Sequence, residues 1–380
     1  MLATAEDTVV DWEPTLVLPN VDFMDSVGSR LIAITGLDDK RVQNLRGRHP
    51  TFDAFLSRFT DEFKVSVRPS VVLVAKSAPQ SVFTIDAISS FRDIVALSAV
   101  PISRALQLQY SKAFPFQYSN SFALYPWSLS RDYKHLVLNT GALMSMNSVD
   151  KFQGQSSPEV PFQRARVSDL DAVLLAKLMS RWKSRYATKR TSWEDRALFR
   201  SLNMANQAAQ IPWTADETRY DRGRITALWV SAFEILVHPG RGGRSGLEQV
   251  LDLLDRVEWV TSFLSRRTYK VRSGKKVFRR GFASSVYGQM YSARNDFLHG
   301  NPVRPSGLYL RGTWLPLWYC AALIYRLGLT AFLDLSWKKA WPPRSDIQRF
   351  AKVASDRYDF ERTQGTIEQG LYYATKPRPD

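Results

Sequence analysis

The side chains with the most usable chemistry lie close together near the end of one segment. Residues 282–300 read FASSVYGQMYSARNDFLHG and carry Arg294, Asn295 and His299. An arginine stays charged and presents a planar fork of N–H donors that matches phosphate. A histidine titrates near neutrality and so can move protons. Phosphate recognition and proton transfer are the chemistry such a group offers.

The spacing predicts how these residues are held. Val286, Met290, Ala293 and Phe297 recur at helical intervals and form one apolar stripe that must face a core. About 100° per residue then points Asn295 away from that stripe, with Arg294 flanking the outward face. His299 lies one turn beyond Asn295 on that face. Gly300 and Pro302 stop the helix, which puts His299 in its last turn, where the macrodipole favours the protonated ring. A second segment, ITALWVSAFEILV over 225–237, is apolar almost all round and predicts a buried central helix. Glu234 is its one charge, and a buried carboxylate must be paired, hydrogen-bonded or protonated. Arg294 is the expected partner.

Composition sets the wider frame. The 380 residues are 44% hydrophobic and 23% charged, which excludes disorder as the main state and suits two or three domains. A single cysteine, Cys320, excludes a disulfide framework and a cysteine-based zinc site and suits a reducing compartment. His49, His135, His238 and His299 are the histidines, too few for an evident metal site, so no metal and no cofactor are expected. His49 and His135 read as incidental, and His238 in VHPG as a helix-stop residue. The start, MLATAEDTVVDWEP, is acidic and carries no export signal. The longest apolar run, 315–325, contains Pro316 and falls short of the roughly 20 residues a bilayer span needs. These features predict a soluble, cytoplasmic protein without membrane contact.

The formal net charge is +16, with arginine outnumbering lysine 36 to 16. That balance points to a polyanionic partner. The run RRTYKVRSGKKVFRR holds Arg266, Arg267, Lys270, Arg272, Lys275, Lys276, Arg279 and Arg280 and no acid. Taken alone it reads as a solvated loop between helices. Tyr269 and Phe278 are interleaved and offer faces for base stacking. The glycine spacing of a phosphate loop is absent.

The fold class expected is α+β. Residues 1–150 read as a mixed α/β domain, with strands at 31–34, 71–74, 82–85, 122–125 and 136–138 and helices at 49–63 and 86–100, the latter ended by Pro101. Residues 151–165, rich in Ser, Gln, Gly and Pro, read as a linker. An all-helical domain follows over 166–340, with helices at 167–186, 193–210, 220–237, 245–264, 282–299 and 313–335. Residues 341–380 read as a last helix over 343–357 and a loose tail after Thr363.

Arg294-Asn295-Asp296-Phe297-Leu298-His299 resembles the signature of the HEPN superfamily, in which Arg is followed after four to six residues by His, with a polar residue straight after the Arg. ARNDFLHG is similar to the version in Apea-like HEPN domains. ALWVSAFEIL is similar to that family's helix with a single acidic residue, and RALFRSLNMANQA to the helix that precedes it. The resemblance covers roughly 165–340. It implies a helical bundle acting as a metal-independent endoribonuclease and homodimer, with RNA as substrate and a 2′,3′-cyclic phosphate and a 5′-hydroxyl as product ends. In those terms Arg294 stabilises charge on the phosphate, His299 is general base or acid, Asn295 positions, and Glu234 supports. The basic run would line the RNA path. The family context implies a toxin-like effector of bacterial antiphage defence, with residues 1–150 sensing a trigger, binding a regulatory partner or restraining the nuclease. A non-catalytic HEPN-like module for dimerisation or nucleic-acid binding would share charge and fold. A DNA-binding scaffold is a third reading, without a helix-turn-helix or zinc signature behind it.

Overall fold

The computed structural model describes residues 11–138, 145–146, 149, 152–155, 163–188, 191–210, 218–273, 275–303, 305–313, 315–338 and 341–376. The chain is α+β and divides into two compact units. The first comprises Met1–Arg92, Asn120–Val167 and Trp182–Arg190, and the second Asp93–Ser119, Ser168–Arg181 and Thr191–Asp380. These bounds differ from a break at 151–165. Residues 93–119 fall in the second unit, and two pieces of the expected linker are strands of the first; most of the rest of it lies outside the described residues.

The first unit is built on a four-stranded antiparallel sheet. Its strands are β1 (Trp12–Leu18), β3 (Val27–Gly28), β4 (Ile32–Thr35) and β6 (Ser70–Ala75), in the order β1-β6-β4-β3. β6 is buried along its whole length, which is why it reads as an unbroken apolar run. Two parallel pairs join β2 (Val21–Phe23) to β11 (Gln163–Ala165), and β5 (Phe59–Thr60) to β10 (Gly154–Gln155). β7 (Trp127–Leu129), β8 (Leu136–Leu138) and β9 (Ser145–Met146) form a small antiparallel sheet. The helix expected over 49–63 is two helices and a strand: α1 (Lys40–Arg48), α2 (Pro50–Leu56) and β5. Phe59 joins Phe52, Phe55 and Phe152 in the core.

Two further strands expected here are not strands. Residues Gln80–Phe83 form a 3-10 turn, and the Thr84 hydroxyl accepts the Ala87 N–H at 3.3 Å, which starts α3 (Ile85–Tyr110). Residues Ser119–Phe122 form another 3-10 turn, and Tyr125 makes one backbone bond to Val17. Pro101 does not end α3. An internal proline costs about 3 kcal/mol, but Ala99, Val100 and Ala105 around it are buried, and their packing keeps the helix whole.

Among the described residues the second unit is mostly helical, with one hairpin. It contains most of α3 and of α4 (Ala172–Tyr186), then α5 (Trp193–Ala208), α6 (Arg219–Leu236), α7 (Leu247–Asp255), α8 (Ser262–Ser265), the strands β12 (Tyr269–Ser273) and β13 (Lys276–Arg280), α9 (Phe282–Leu298), α10 (Leu317–Phe332) and α11 (Ile347–Ala374). α6 packs on α5, α9 and α10, and α7 packs on α9. Among the described residues no helix is long and apolar enough to cross a membrane.

The helix expected over 245–264 breaks into α7 and α8 because a carboxylate captures the backbone between them. Glu368 of α11, fully buried, accepts the N–H groups of Val260 and Thr261 at 2.8 and 2.7 Å. The expectation of a loose tail after Thr363 is overturned for the same reason. α11 runs to Ala374 and buries Phe360, Thr363, Gln364, Ile367, Glu368 and Leu371 on one face. Half of that face is polar, so its pattern reads as solvent-facing. Here the polar groups are satisfied inside: Arg326 of α10 pairs with Asp171 at 2.8 Å and donates to Gln364, whose amide donates to Glu368 at 3.0 Å.

Candidate active site

α9 buries Val286, Met290 and Ala293, as its stripe requires, at about 1.5–3 kcal/mol for each of the two larger side chains. Phe297 closes the stripe against α6. A Cβ on Gly223 would sit 2.3 Å from its ring, so the missing side chain at Gly223 is what admits Phe297. This close approach brings the charged groups of the two helices together. Arg294 donates through Nη2 to Glu234 Oε2 at 3.4 Å and through Nη1 to Asn295 Oδ1 at 2.9 Å. The Tyr291 ring lies 5.9 Å from the guanidinium, within cation–π range.

Burial pushes the Glu234 carboxyl above its usual range, and the Arg294 charge pulls the other way. Burial, reinforced by the negative Glu234, raises the Tyr287 hydroxyl well above normal. Tyr287 Oη and Arg294 Nε are both buried without a hydrogen-bond partner among the described residues. α6 is less enclosed than its composition suggests. Trp229, Val230, Phe233 and Leu236 are buried, while Leu228, Ser231, Glu234 and Ile235 form a half-exposed strip.

His299 caps α9. Its own N–H donates to the Asn295 carbonyl, Gly300 takes a φ of +70°, and the Asn301 N–H returns to the Asp296 carbonyl at 2.9 Å. That closure satisfies the last carbonyls and is favoured by glycine at this position. The imidazole is exposed and makes no hydrogen bond or ion pair among the described residues.

From Tyr269 the basic run is a hairpin, β12 paired with β13, and not a loop, while Arg266 and Arg267 precede it. It docks on α9 through Val271. A Cβ on Gly288 would lie 2.6 Å from Val271 Cγ1, so this glycine is needed for the approach. Two of the predicted RNA-binding cations are engaged within the protein: Lys276 with Glu248 at 3.0 Å, and Arg280 with Asp252 and Asp255 at 3.0 and 2.6 Å. Arg266, Arg267, Lys270, Arg272, Lys275 and Arg279 are exposed. Tyr269 packs edge-on against Phe282, with ring centroids 5.7 Å apart, and Phe278 lies 5.5 Å under Arg280, so neither ring is a free platform.

Lys270 and Arg272 line a groove of about 1270 Å³ whose floor includes Ser285, Gln289, Ser292 and Asp296 of α9. Arg311 lines it as well, its backbone N–H bound to Gln289 Oε1 at 2.9 Å. Arg294, Asn295, His299 and Glu234 do not line it. Sequence reasoning missed Arg311, which sits alone in a loop. It missed the polar face of α9 too, whose signal is Ser285, Gln289, Ser292 and Asp296 at helical spacing. Among the described residues no group of three His, Cys, Asp or Glu side chains is placed to hold a metal ion.

No family model, no curated protein and no solved structure matches this chain. The arrangement itself offers a fixed guanidinium, an amide beside it and, five positions on at the cap of the same helix, a solvent-facing imidazole.

Proposed function

We propose that this chain is a metal-independent endoribonuclease that acts as a two-fold dimer through its helical unit. The observation that carries the reading is the pairing of Arg294 with Glu234 and Asn295 on a helix that ends at an exposed His299. One imidazole takes the proton from the ribose 2′-hydroxyl as that oxygen attacks phosphorus. Arg294 stabilises the charge on the non-bridging oxygens. An imidazolium from the second copy protonates the 5′-oxygen as its bond to phosphorus breaks, which leaves a 2′,3′-cyclic phosphate and a 5′-hydroxyl. Both proton transfers need a histidine, and each protomer brings one in this motif, so the dimer supplies the pair. The half-exposed Leu228 and Ile235 beside Glu234 support an apolar contact between copies at this place. Under this reading the first unit restrains or triggers the nuclease, as a toxin-like effector of antiphage defence requires.

A non-catalytic module is the second reading, favoured by one observation: the Arg294 fork already has Glu234 and Asn295 as partners. Incubation with RNA in EDTA decides between them. Wild type is expected to cleave, and His299→Ala to lose roughly 10²–10⁴-fold of the rate with its fold intact. RNA binding without cleavage by the wild type favours the module. Equal cleavage by both proteins removes His299 from the chemistry.

A further inference from the structure

A second site lies in the helical unit, formed by residues outside that machinery. Thr191, Trp193, Arg196, Pro239, Gly240 and Arg241 line a pocket of about 340 Å³. That volume is at the small end of the range for small-molecule sites. Among the described residues, two arginines and no acid line it. The nearest acids in sequence, Glu194 and Asp195, are held by Arg181 at 3.4 and 2.5 Å. Arg196 and Arg241 are exposed and make no ion pair among the described residues.

The indole is fixed and yet available. Trp193 Nε1–H donates to the His238 carbonyl at 2.8 Å, and the two rings lie 5.7 Å apart. Its polar edge is therefore satisfied, while 37% of the residue remains exposed, unusually open for a large apolar side chain. The loop that brings Arg241 to it is also built. His238 Nδ1 accepts the Gly240 N–H at 3.1 Å, and Gly240 has a φ of +106°, a conformation glycine adopts without strain. Its backbone passes against the indole, since a Cβ there would lie 3.4 Å from Trp193 Cδ1.

We propose that this pocket binds a nucleotide, with the base stacked on Trp193 and the phosphate held by Arg196 and Arg241. A rigid aromatic face with two neighbouring guanidinium groups suits that ligand: every base has a π-face, and arginine pairs with phosphate through two donors. A free mononucleotide and a nucleotide unit of an RNA strand present the same chemistry. The site does not depend on the nuclease reading.

The test is calorimetric titration of the full chain, in EDTA, with 5′-AMP, adenosine, inorganic phosphate and a 5′-phosphorylated oligoadenylate. AMP is expected to bind at least tenfold more tightly than adenosine or phosphate, because it engages both halves of the pocket. Trp193→Ala and the pair Arg196→Gln/Arg241→Gln are each expected to weaken binding tenfold or more, and Trp193→Phe to retain most of it. Thermal melts compare the folds. An oligonucleotide binding far more tightly than AMP, with the same sensitivity to these substitutions, assigns the pocket to an RNA strand; equal affinities assign it to the free nucleotide. Binding of AMP and oligonucleotide unchanged by all the substitutions overturns the proposal, and so does the failure of both to bind.

Discussion

The Arg294 guanidinium meets the Glu234 carboxylate at 3.4 Å, across two helices and 60 positions of sequence. The contact exists because Gly223 leaves room for the Phe297 ring, which draws the end of α9 onto α6. Glu234 is therefore a charge held mostly out of water, with Arg294 only partly offsetting the loss of hydration.

The sign of the resulting pH dependence follows from linkage. The folded protein raises the Glu234 pKa above its ordinary value of 4.5. A group shifted this way contributes most below its unfolded pKa, and that contribution is lost as pH rises through the folded value. Glu234→Gln cannot titrate. The stability of wild type minus that of Glu234→Gln is expected to fall as pH is raised from 4.5 and then to level off. Urea denaturation at a series of pH values measures it, and parallel profiles for the two proteins would refute the assignment.

The cations of the basic run divide into two classes. Replacing Arg266, Arg267, Lys270 and Arg272 with Gln is expected to lower the slope of log affinity for single-stranded RNA against log salt by roughly 3. Replacing Lys276 and Arg280 is expected to change that slope less, because acids of α7 already hold them. Filter binding at four salt concentrations separates the two sets. A slope untouched by the first set would remove the hairpin from the RNA path.

Gly288→Val tests what positions the hairpin. The added side chain meets Val271 at a distance no real Cβ tolerates, so the hairpin must shift. A cost of about 1–3 kcal/mol is expected, with faster amide exchange in β12 and β13 than elsewhere in the unit. Unchanged exchange there would mean that Val271 does not dock the hairpin.

The Arg326–Asp171 pair is almost completely buried, so breaking it leaves a charge without compensation. Asp171→Ala is expected to cost about 3–5 kcal/mol in denaturant unfolding. Removing residues 364–380 takes away Gln364 and Glu368 and is expected to abolish the cooperative transition of the helical unit. A truncated chain that melts like wild type would deny α11 its structural role.

Burial pushes the Cys320 thiol up to about 12. At pH 8 the folded protein should resist thiol reagents, and labelling should follow unfolding. Rapid labelling of native protein would show that α10 opens.

Much was legible in the chain itself. The helix carrying Arg294, Asn295 and His299 announced its own core stripe and its end at Gly300, because periodicity and terminators are local properties. The lone Glu234 in an apolar segment required a partner, and Arg294 supplies one. What tertiary structure alone decided is where partners lie far apart in sequence. Pro101 sits inside a helix because burial outweighs its cost. The polar face of α11 is interior because Arg326, Val260 and Thr261 wait for it. The hairpin of the basic run lies against α9 because Gly288 lets Val271 dock. The pocket at Trp193 formed because the turn at Gly240 returns Arg241 to it. Local pattern fixes periodicity and ends, whereas burial of a polar or strained residue depends on a neighbour that no window of sequence contains.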